Sequence, residues 1–286
     1  MNILVLGAGG MAGHTIAIRL QELGHEVVGL ARRKLDFCDG VVMDVTDETA
    51  LYHLLCERRF DAVINGIGVL HATNFKPAYG IWINSYFPHR LKDMLEDTKT
   101  RLIHLSTDCV FGGHDEGGYV ENAMPTATDY YGRSKQLGEF EDDKNLVFRM
   151  SIVGPDINER GEGLFHWFMR ENAAVNGYSR VIWTGVSTLT LANAIHAALA
   201  QKLTGIYHLV NNDTISKYHL LKLFNGLRKN PIVISKSDDF AVDKSLINTR
   251  KDFNFMVPSY EQMVEDMGKW ILRYQALYPY YGMRNI

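Results

Sequence analysis

The chain has 286 residues, 46% of them hydrophobic and 22% charged, and lacks an 18-residue apolar segment, so we expect one large and one smaller globular domain without membrane contact. A formal net charge of −3 at pH 7, with neither a helix-turn-helix nor an RRM-like motif, excludes nucleic acid as a partner. Three cysteines without C-x-x-C spacing, Cys38, Cys56 and Cys109, predict a reducing cytoplasmic location without disulfides or a metal site.

Residues 1–6 form an apolar run that is too short for a signal peptide and typical of a buried parallel strand. A glycine-rich segment follows, and a helical stretch then continues to about Leu23. Glycines at Gly7, Gly10 and Gly13 allow a tight turn, close approach of the backbone to a pyrophosphate, and packing of the helix on the sheet. A plain strand-to-helix turn is the alternative, but the strand–glycine–helix order favours phosphate binding at the helix N-terminus.

The second predicted strand, residues 26–30, is followed by two arginines, Arg32 and Arg33. A site that prefers NAD usually has an Asp or Glu here, which binds the adenosine ribose hydroxyls. Guanidinium groups suit bidentate binding of a 2′-phosphate, so the sequence favours NADPH as the cofactor and leaves NADH open. A solvated basic loop is the alternative, with which the nearby Asp36 is compatible.

Two further strands continue the pattern. Residues 41–45 are predicted as the third strand, and Asp44 either accepts a hydrogen bond from the adenine amino group or caps a helix predicted over residues 46–58. The fourth strand ends in the small residues 65–68, which let the backbone pass close to the cofactor. Asn84 lies in a predicted helix, where we expect it to satisfy backbone groups; a share in a proton relay is the less favoured alternative.

Two motifs further along carry the side chains needed for proton transfer. Ser106-Thr107-Asp108 is followed by Tyr131-Gly132-Arg133-Ser134-Lys135. Because Tyr131 and Lys135 are one helical turn apart, we expect the ammonium to lower the phenol pKa from about 10. A tyrosine tuned towards neutrality can protonate a carbonyl oxygen while hydride reaches the carbon.

The same spacing recurs at Tyr218 and Lys222, and one such match is expected by accident. We interpret this second pair as part of an amphipathic helix whose leucines and Phe224 face the core. No serine-threonine strand end precedes it at a fitting distance. Context, and not spacing, therefore selects Tyr131.

The glycine pattern, the Asn65-Gly66 strand end, the segment 106–112 and the segment 131–135 together resemble the extended short-chain dehydrogenase/reductases. The Ser-Thr-Asp-x-Val-Phe string is similar to that of the dTDP-4-dehydrorhamnose reductase family. The resemblance implies an α/β fold, a Rossmann-type doubly wound parallel sheet with a smaller C-terminal substrate domain. It implies an NAD(P)-binding domain over residues 1–155 and a sugar-nucleotide-binding domain over 156–286, with a return of the chain to the first domain around 180–210 left open.

The resemblance also implies roles for individual residues. Thr107, Tyr131 and Lys135 form the catalytic triad, and Asp108 lies with Thr107 beside the substrate. Lys135 also binds the nicotinamide ribose, and Thr107 donates a hydrogen bond to the sugar oxygen as charge develops. The residues implied to touch the dinucleotide are Gly10, Met11, Ala12, Asp44, Val45, Gly66, Ile67 and Gly68, together with Tyr131 and Lys135.

Beyond residues 149–151 the alternation of predicted strands and helices becomes irregular. The loop over residues 154–163 is predicted to lead into the smaller domain and an aromatic-rich helix. Core packing is favoured there for Phe165, Trp167 and Phe168 over stacking on a base, and His166 is placed at the surface or the edge of the core. A helix over 188–203, a strand over 205–210 and a helix capped by Ser216 follow.

The implied function is NADPH-dependent reduction of a nucleotide-activated 4-keto-6-deoxyhexose for surface polysaccharide precursors. Residues 181–188 and 243–249 depart from the family pattern, which favours a substrate other than dTDP-4-dehydrorhamnose, such as a UDP-linked N-acetylated relative. Lys244 and Arg250 are candidates for binding the diphosphate, and plain solvation is the alternative.

Two other functions stay open: an epimerase or dehydratase that retains NAD(P), and a non-catalytic regulatory subunit such as that of methionine adenosyltransferase, which resembles this family. Stoichiometric oxidation of NADPH would separate the reductase from the first. Intact Thr107, Tyr131 and Lys135 argue against the second without excluding it. A homodimer is also left open.

Overall fold

A computed structural model describes residues 1–70, 76–114 and 116–284 of the chain. The strands are β1 (Asn2–Leu6), β2 (Glu26–Ala31), β3 (Asp39–Val42), β4 (Ala62–Asn65), β5 (Arg101–Leu105), β6 (Leu146–Arg149), β7 (Ser151–Val153), β8 (Val175–Trp183), β9 (Gly185–Ser187), β10 (Gly205–His208), β11 (Ile215–Ser216) and β12 (Ile234–Asp243).

The α-helices are α1 (Met11–Glu22), α2 (Glu48–Glu57), α3 (Pro77–Ile81), α4 (Phe87–Met94), α5 (Tyr130–Leu137), α6 (Leu164–Arg170), α7 (Thr188–Gln201), α8 (Lys217–Asn225) and α9 (Tyr260–Arg273). A π-helical turn (Trp82–Tyr86) joins α3 to α4, and 3₁₀ turns occur at Asp108–Val110 and Gln275–Leu277.

Seven strands form a parallel central sheet in the order β10-β6-β5-β4-β1-β2-β3. The chain builds the sheet outward from β1 to β3 and then crosses to β4, on the other side of β1. Such a reversal between β1 and β4 is the hallmark of a Rossmann-type doubly wound sheet. The predicted fold class is confirmed.

The apolar run of β1 is explained by helices on both faces of the sheet. Ile3 and Val5 pack in a core with residues of α1 and α7, whereas Leu4 and Leu6 pack in a second core with residues of α2 and α4. All four side chains are fully buried. A strand buried on both faces needs a continuous apolar sequence, and each such side chain contributes about 1.5–3 kcal/mol.

The predicted elements of the first 150 residues are present, with one correction. The helix cap before α2 is Asp47, whose carboxylate accepts a hydrogen bond from the backbone N–H of Ala50 at 3.0 Å. Asp44 lies too early for this role and instead accepts hydrogen bonds from the backbone and hydroxyl of Thr46. The alternative that made Asp44 the cap is therefore wrong.

The later part of the chain contributes to more than one sheet. β10 adds to the central sheet beside β6, while β8 lies between β11 and β12 in a three-stranded sheet. The long strands β8 and β12 and the helix α9 were not predicted. Residues 205–208 thus lie in the central sheet, and the division into two domains at residue 155 stays a prediction.

The predicted helix N-cap at Ser216 is confirmed, since its hydroxyl accepts a hydrogen bond from the backbone of His219 at 3.2 Å. Within the described ranges, no helix combines the length and apolar character needed to span a bilayer.

Candidate functional site

A cleft of about 970 Å³ opens where the carboxyl ends of β1, β2, β4 and β5 meet. In open α/β sheets ligands bind at this edge, next to the point where the strand order reverses. The predicted residues that line the cleft are Gly7, Gly10, Met11, Ala12, Arg32, Arg33, Asp44, Val45, Gly66, Ile67, Gly68, Thr107, Asp108, Tyr131 and Lys135. Motifs that lie between Gly7 and Lys135 in the sequence therefore converge on one cleft.

The glycine-rich turn lies at the floor of this cleft. Gly7 has a φ of 75°, a left-handed conformation that favours glycine, and its N–H donates to the carbonyl of Leu30 at 3.0 Å. Helix α1 then begins after Gly10, which has no side chain to cap the amides of the first turn. These amides and the positive end of the helix suit an anion.

Gly13, which the sequence predicted as part of the phosphate-binding glycine pattern, does not itself line the cleft. A Cβ at position 13 would lie 2.1 Å from the carbonyl oxygen of Gly7, so only glycine permits this approach. Gly13 thus lets α1 pack directly against the glycine-rich turn, and it affects the cleft only through the position of that turn.

The two arginines lie exposed at the mouth of the cleft. The guanidinium of Arg33 donates a hydrogen bond to the side-chain oxygen of Asn158, whose amide nitrogen donates to the carbonyl of Gly9 at 3.0 Å. Asp44 lies nearby, and hydrogen bonds from Thr46 hold the pKa of its carboxyl below the ordinary value. The basic end of β2 thus contacts a loop from beyond residue 155.

The end of β4 is held close to β1 and to the π-helical turn. A Cβ on Gly66 would lie 3.2 Å from the carbonyl oxygen of Leu6, which is tighter than most side chains tolerate. Asn84 is fully buried; it pairs with both backbone groups of Val69, at 2.9 and 3.0 Å, and donates to the hydroxyl of Ser134 at 3.0 Å. Its predicted role of satisfying backbone groups is confirmed.

Thr107 lies two residues after the end of β5 and caps the 3₁₀ turn. Its hydroxyl accepts a hydrogen bond from the backbone of Cys109 and donates one to the carboxylate of Asp108, each at 3.1 Å. Burial raises the pKa of Asp108, while the bond from Thr107 and the charges of Lys244 and Lys217 oppose that rise. Burial also raises the pKa of Cys109 to about 12, which keeps the thiol protonated and unsuited as a nucleophile.

Tyr131 lies next to Thr107 because α5 packs tightly on the 3₁₀ turn. The cap of α5 is Asp129, which accepts from the backbone of Gly132 at 2.9 Å. A Cβ on Gly132 would lie 2.1 Å from the carbonyl oxygen of Cys109, so a glycine is required at this contact. The half-buried Tyr131 lies close enough to Thr107 for the threonine hydroxyl to act on its pKa.

The predicted effect of Lys135 on Tyr131 is wrong in this structure. Burial raises the pKa of Tyr131 above its ordinary value, and the hydroxyl of Thr107 opposes the rise. Burial also lowers the pKa of Lys135 from 10.5 to about 8. Removal from water disfavours the charged form of both groups, and spacing alone does not reveal this burial.

Sequence reasoning missed the partners of Lys135. Its amine donates to the carbonyl of Leu105 at 2.6 Å and lies 3.3 Å from Nε2 of His104. Nδ1 of the same ring lies 3.1 Å from the side-chain nitrogen of Asn65. The available signal was a histidine among the apolar residues Leu102, Ile103 and Leu105, two residues before Ser106.

A buried ion pair braces the same region and was also missed. Arg149 donates two hydrogen bonds to the carboxylate of Glu139, at 2.8 and 2.7 Å, and both side chains are almost fully buried. The hydroxyl of Ser106 donates to the same carboxylate at 2.5 Å. These contacts join the ends of β5, α5 and β6.

The loop predicted only as a passage between domains forms a wall of the cleft. Asp156, Asn158 and Arg160 line it, with residues 161–164. The backbone of Asp156 is held by the hydroxyls of Tyr280 and Tyr281, near the end of the chain. His166 is buried and bonded to Tyr281, where the sequence predicted a surface or core-edge residue.

With the cleft defined, the chain can be compared with known proteins. A family model described as the RmlD substrate binding domain matches residues 1–231. The chain belongs to the RmlD substrate binding domain family. The matched range includes every cleft residue named above, whereas α9 and the tyrosines near the end of the chain lie beyond it.

Relatives of this RmlD family member include two named reductases. A probable low-salt glycan biosynthesis reductase of Haloferax volcanii is 34% identical over 161 residues, which is 54% of each chain, so the match spans about half that relative's length. A dTDP-4-dehydrorhamnose reductase of Salmonella typhimurium is 25% identical over 294 residues, 93% of this chain and 97% of the relative.

Solved structures show the same fold. The dTDP-4-dehydrorhamnose reductase of Bacillus anthracis, in complex with NADP, superposes with a TM-score of 0.76 at 18% identity, covering 93% of this chain and 98% of that chain.

Within the RmlD fold, the second Tyr-x-x-x-Lys pair lies away from the cleft. The amine of Lys222 lies 5.5 Å from the centre of the Tyr218 ring, and Leu220, Leu221 and Phe224 are buried, which confirms the predicted amphipathic helix. Arg250 is likewise not a cleft residue, because its guanidinium donates to the carbonyls of two residues of the β10 segment and pairs with Asp252.

Proposed function

We propose that the protein is an NADPH-dependent reductase of a nucleotide-activated 4-keto-6-deoxyhexose that serves the synthesis of surface glycan precursors. The observation that carries the proposal is the position of Thr107, Tyr131 and Lys135 in the same cleft as the glycine-rich turn. The names of the relatives, reductases of dTDP-linked keto sugars and of glycan biosynthesis, support the substrate class.

The glycine-rich turn fits a dinucleotide. Side chains at Gly7 and Gly66 would meet neighbouring backbone or side-chain atoms at 3.0–3.3 Å, so the backbone itself forms the surface of the cleft there. Residues 10–12 would hold the pyrophosphate, and Asp44 and Val45 the adenine. NADPH bound in this cleft would supply hydride to the ketone carbon.

The choice of NADPH over NADH depends on Arg32 and Arg33. Both line the mouth of the cleft at the end of β2, where a 2′-phosphate would lie, and no carboxylate occupies positions 31–34. Arg33 already bonds Asn158, so a phosphate there would meet a guanidinium that is held in place.

Tyr131 is the proton donor of the proposed reaction. Reduction of a ketone needs a group that is protonated before the hydride arrives, and the raised pKa of Tyr131 keeps its phenol protonated at neutral pH. Thr107, whose hydroxyl lies beside Tyr131, would turn from Asp108 to donate to the same sugar oxygen as negative charge develops on it.

The substrate would lie between Asp108 and two lysines. Against the effect of burial, the charges of Lys217 and Lys244 lower the pKa of Asp108, so both ammonium groups act on this carboxylate. Two lysines suit a diphosphate, and this supports the predicted role of Lys244 and adds Lys217. Arg250 is withdrawn from this role, since carbonyl groups and Asp252 occupy its guanidinium.

Two predictions accompany the proposal. We retain the division into a cofactor-binding domain over residues 1–155 and a substrate domain over 156–286, with β10 returning to the first. A cytoplasmic location is supported by three free cysteines. A homodimer is left to measurement.

The test is an assay of the protein with TDP- and UDP-linked 4-keto-6-deoxy sugars, following NADPH and NADH oxidation against product formed. A reductase oxidises one NADPH for each sugar reduced. An epimerase or dehydratase would convert sugar without net oxidation, and a regulatory subunit would turn over none of these sugars. Either result would refute the proposal.

A further inference from the structure

The orientation of the Asn158 side chain is fixed by three partners. Its amide oxygen accepts a hydrogen bond from the guanidinium of Arg33. Its amide nitrogen donates to the carbonyl of Gly9 at 3.0 Å and to the carboxylate of Asp156 at 2.8 Å. A guanidinium offers only donors, whereas a carbonyl and a carboxylate offer only acceptors, so a reversed amide would lose all three hydrogen bonds.

The contact with Asn158 orients Arg33 without cancelling its charge. Arg33 is exposed, and a ligand that binds a free arginine bears the entropic cost of fixing its side chain. Because the amide of Asn158 is neutral, the guanidinium keeps its charge and its remaining N–H groups for an anion. In the part of the chain that the structure describes, no carboxylate forms an ion pair with Arg33.

Asp156 holds Asn158 in place. Its carboxylate accepts hydrogen bonds from the backbone N–H and from the side-chain amide of Asn158, each at 2.8 Å. Asp156 is buried, and a Cβ on Gly161 would lie 2.6 Å from its carboxylate, so the loop closes tightly around this group. The loop therefore presents the amide of Asn158 to Arg33 in one position.

Two tyrosines near the end of the chain hold the backbone of Asp156. The hydroxyl of Tyr281 accepts from the N–H of Asp156 at 2.9 Å, and the hydroxyl of Tyr280 donates to its carbonyl at 2.7 Å. Both tyrosines lie beyond residues 1–231, the range that matches the family model. A continuous path of hydrogen bonds thus leads from the end of the chain through Asp156 and Asn158 to Arg33.

We propose that Asn158 is a positioning residue that sets the preference for NADPH over NADH, and that Tyr280 and Tyr281 support it through Asp156. The inference rests on the proposed function for the identity of the cofactor. A 2′-phosphate that meets Arg33 finds the guanidinium already oriented, whereas NADH has no group to place there. Asn158 therefore acts on the binding of NADPH and not, through Arg33, on that of NADH.

A purely structural role for Asn158 has a different consequence. Its bond to Gly9 braces the glycine-rich turn, which both cofactors would use. Loss of this bracing would weaken NADPH and NADH by the same factor. The ratio of the two dissociation constants therefore separates the proposed role from a structural one.

The first measurement determines the dissociation constants of NADPH and NADH by fluorescence titration, with no sugar present. In Asn158→Ala the preference for NADPH, expressed as the ratio of the two constants, should fall about tenfold, the value of one hydrogen bond to a charged group. An unchanged ratio would overturn the inference.

The second measurement is a double-mutant cycle with Arg33→Ser. In the Arg33→Ser protein, adding Asn158→Ala should leave the ratio unchanged, because Asn158 acts through the guanidinium that is already absent. A further tenfold fall in the double variant would show that Asn158 acts independently of Arg33 and would contradict the inference.

The third measurement concerns the end of the chain. Tyr280→Phe and Tyr281→Phe each remove one hydrogen bond to Asp156 and should lower the ratio about threefold. Tyr274→Phe is the matched control, since the hydroxyl of Tyr274 donates to Glu22 at 2.6 Å, and it should leave the ratio unchanged. An unchanged ratio in both test variants, or an equal fall in the control, would refute the role of the tyrosines.

The titrations also separate this inference from the proposed function. If NADPH is preferred and Asn158→Ala removes the preference, but no keto sugar is reduced, the proposed function fails and the inference stands. If the wild type binds NADH as tightly as NADPH, Asn158 has no preference to set, and the inference fails even when a sugar is reduced.

Discussion

Gly132 approaches Cys109 so closely that a Cβ on the glycine would lie 2.1 Å from the cysteine carbonyl oxygen. This contact brings α5 onto the 3₁₀ turn and sets the distance between Tyr131 and Thr107. The proton donor of the proposed reaction is thus positioned by the absence of a side chain.

Replacing Gly132 with alanine should therefore displace α5 and reduce turnover by about 100-fold, because a misplacement of about 1 Å has this cost. The affinity for NADPH, measured by fluorescence titration, should change much less. Gly282→Ala is the matched control, since a Cβ there meets no atom within 4 Å. Wild-type turnover in Gly132→Ala would show that the contact does not position Tyr131.

Cofactor preference should depend on the arginines after β2. Arg33→Ser and Arg32→Ser should each lower kcat/KM for NADPH by about 10- to 100-fold, the value of a charge-assisted hydrogen bond, and leave kcat/KM for NADH nearly unchanged. Lys34→Ser is the control, because Lys34 is exposed and does not line the cleft. Equal losses with both cofactors would refute a role in 2′-phosphate binding.

The buried pair of Arg149 and Glu139 should be costly to break. Arg149→Leu leaves a buried carboxylate without its partner and should lower the free energy of unfolding by about 3–5 kcal/mol in urea denaturation. The exposed pair of Arg58 and Asp39 provides the contrast, and Arg58→Leu should cost less than about 1 kcal/mol. Similar losses in the two variants would contradict this account of the region.

Acid should destabilise the protein through His14. Burial lowers the pKa of His14 from 6.5 to about 4, and its ring bonds the carbonyl of Gly10 and the hydroxyl of Tyr278. Below pH 6.5 the His14 ring therefore binds a proton in the unfolded chain, whereas in the folded chain it stays neutral until the pH approaches 4. Stability is complete above pH 6.5 and declines as pH falls towards 4, by about 2 kcal/mol at pH 5 from this group.

The decline of Tm between pH 7 and 5 should accordingly be smaller in His14→Gln than in the wild type. His53→Gln, at an exposed position, should decline as the wild type does. An identical decline in His14→Gln would exclude His14 as a source of the acid sensitivity.

The first half of the fold was predictable because most residues of β1, β2, β4 and β5 are buried, and only the edge strand β3 is largely exposed. A short continuous apolar run such as β1 is typical of a buried parallel strand, and the glycines after it are typical of a phosphate-binding turn. β8 and β12 escaped prediction because both mix exposed and half-buried positions without a regular alternation, as in the polar segment from Ser235 to Asp239.

The members of the site were predictable, but their electrostatics were not. The spacing placed Tyr131 and Lys135 on one face of a helix. The burial that raises the pKa of Tyr131 and lowers the pKa of Lys135 comes from strands and loops elsewhere in the sequence. His104 looked like an interior residue of β5, and its contact with Lys135 exists only in three dimensions. The loop with Asn158 likewise reaches the cleft by tertiary packing alone.

The central claim is that Tyr131 donates the proton in an NADPH-dependent reduction of a keto sugar. The most direct measurement compares NADPH oxidation by the wild type, Tyr131→Phe and Tyr218→Phe with a TDP- or UDP-linked 4-keto-6-deoxy sugar that the wild type reduces. We expect Tyr131→Phe to bind NADPH normally and to lose about 100- to 10,000-fold in turnover, the usual contribution of a general acid, while Tyr218→Phe stays at the wild-type rate. Wild-type turnover in Tyr131→Phe would contradict the account.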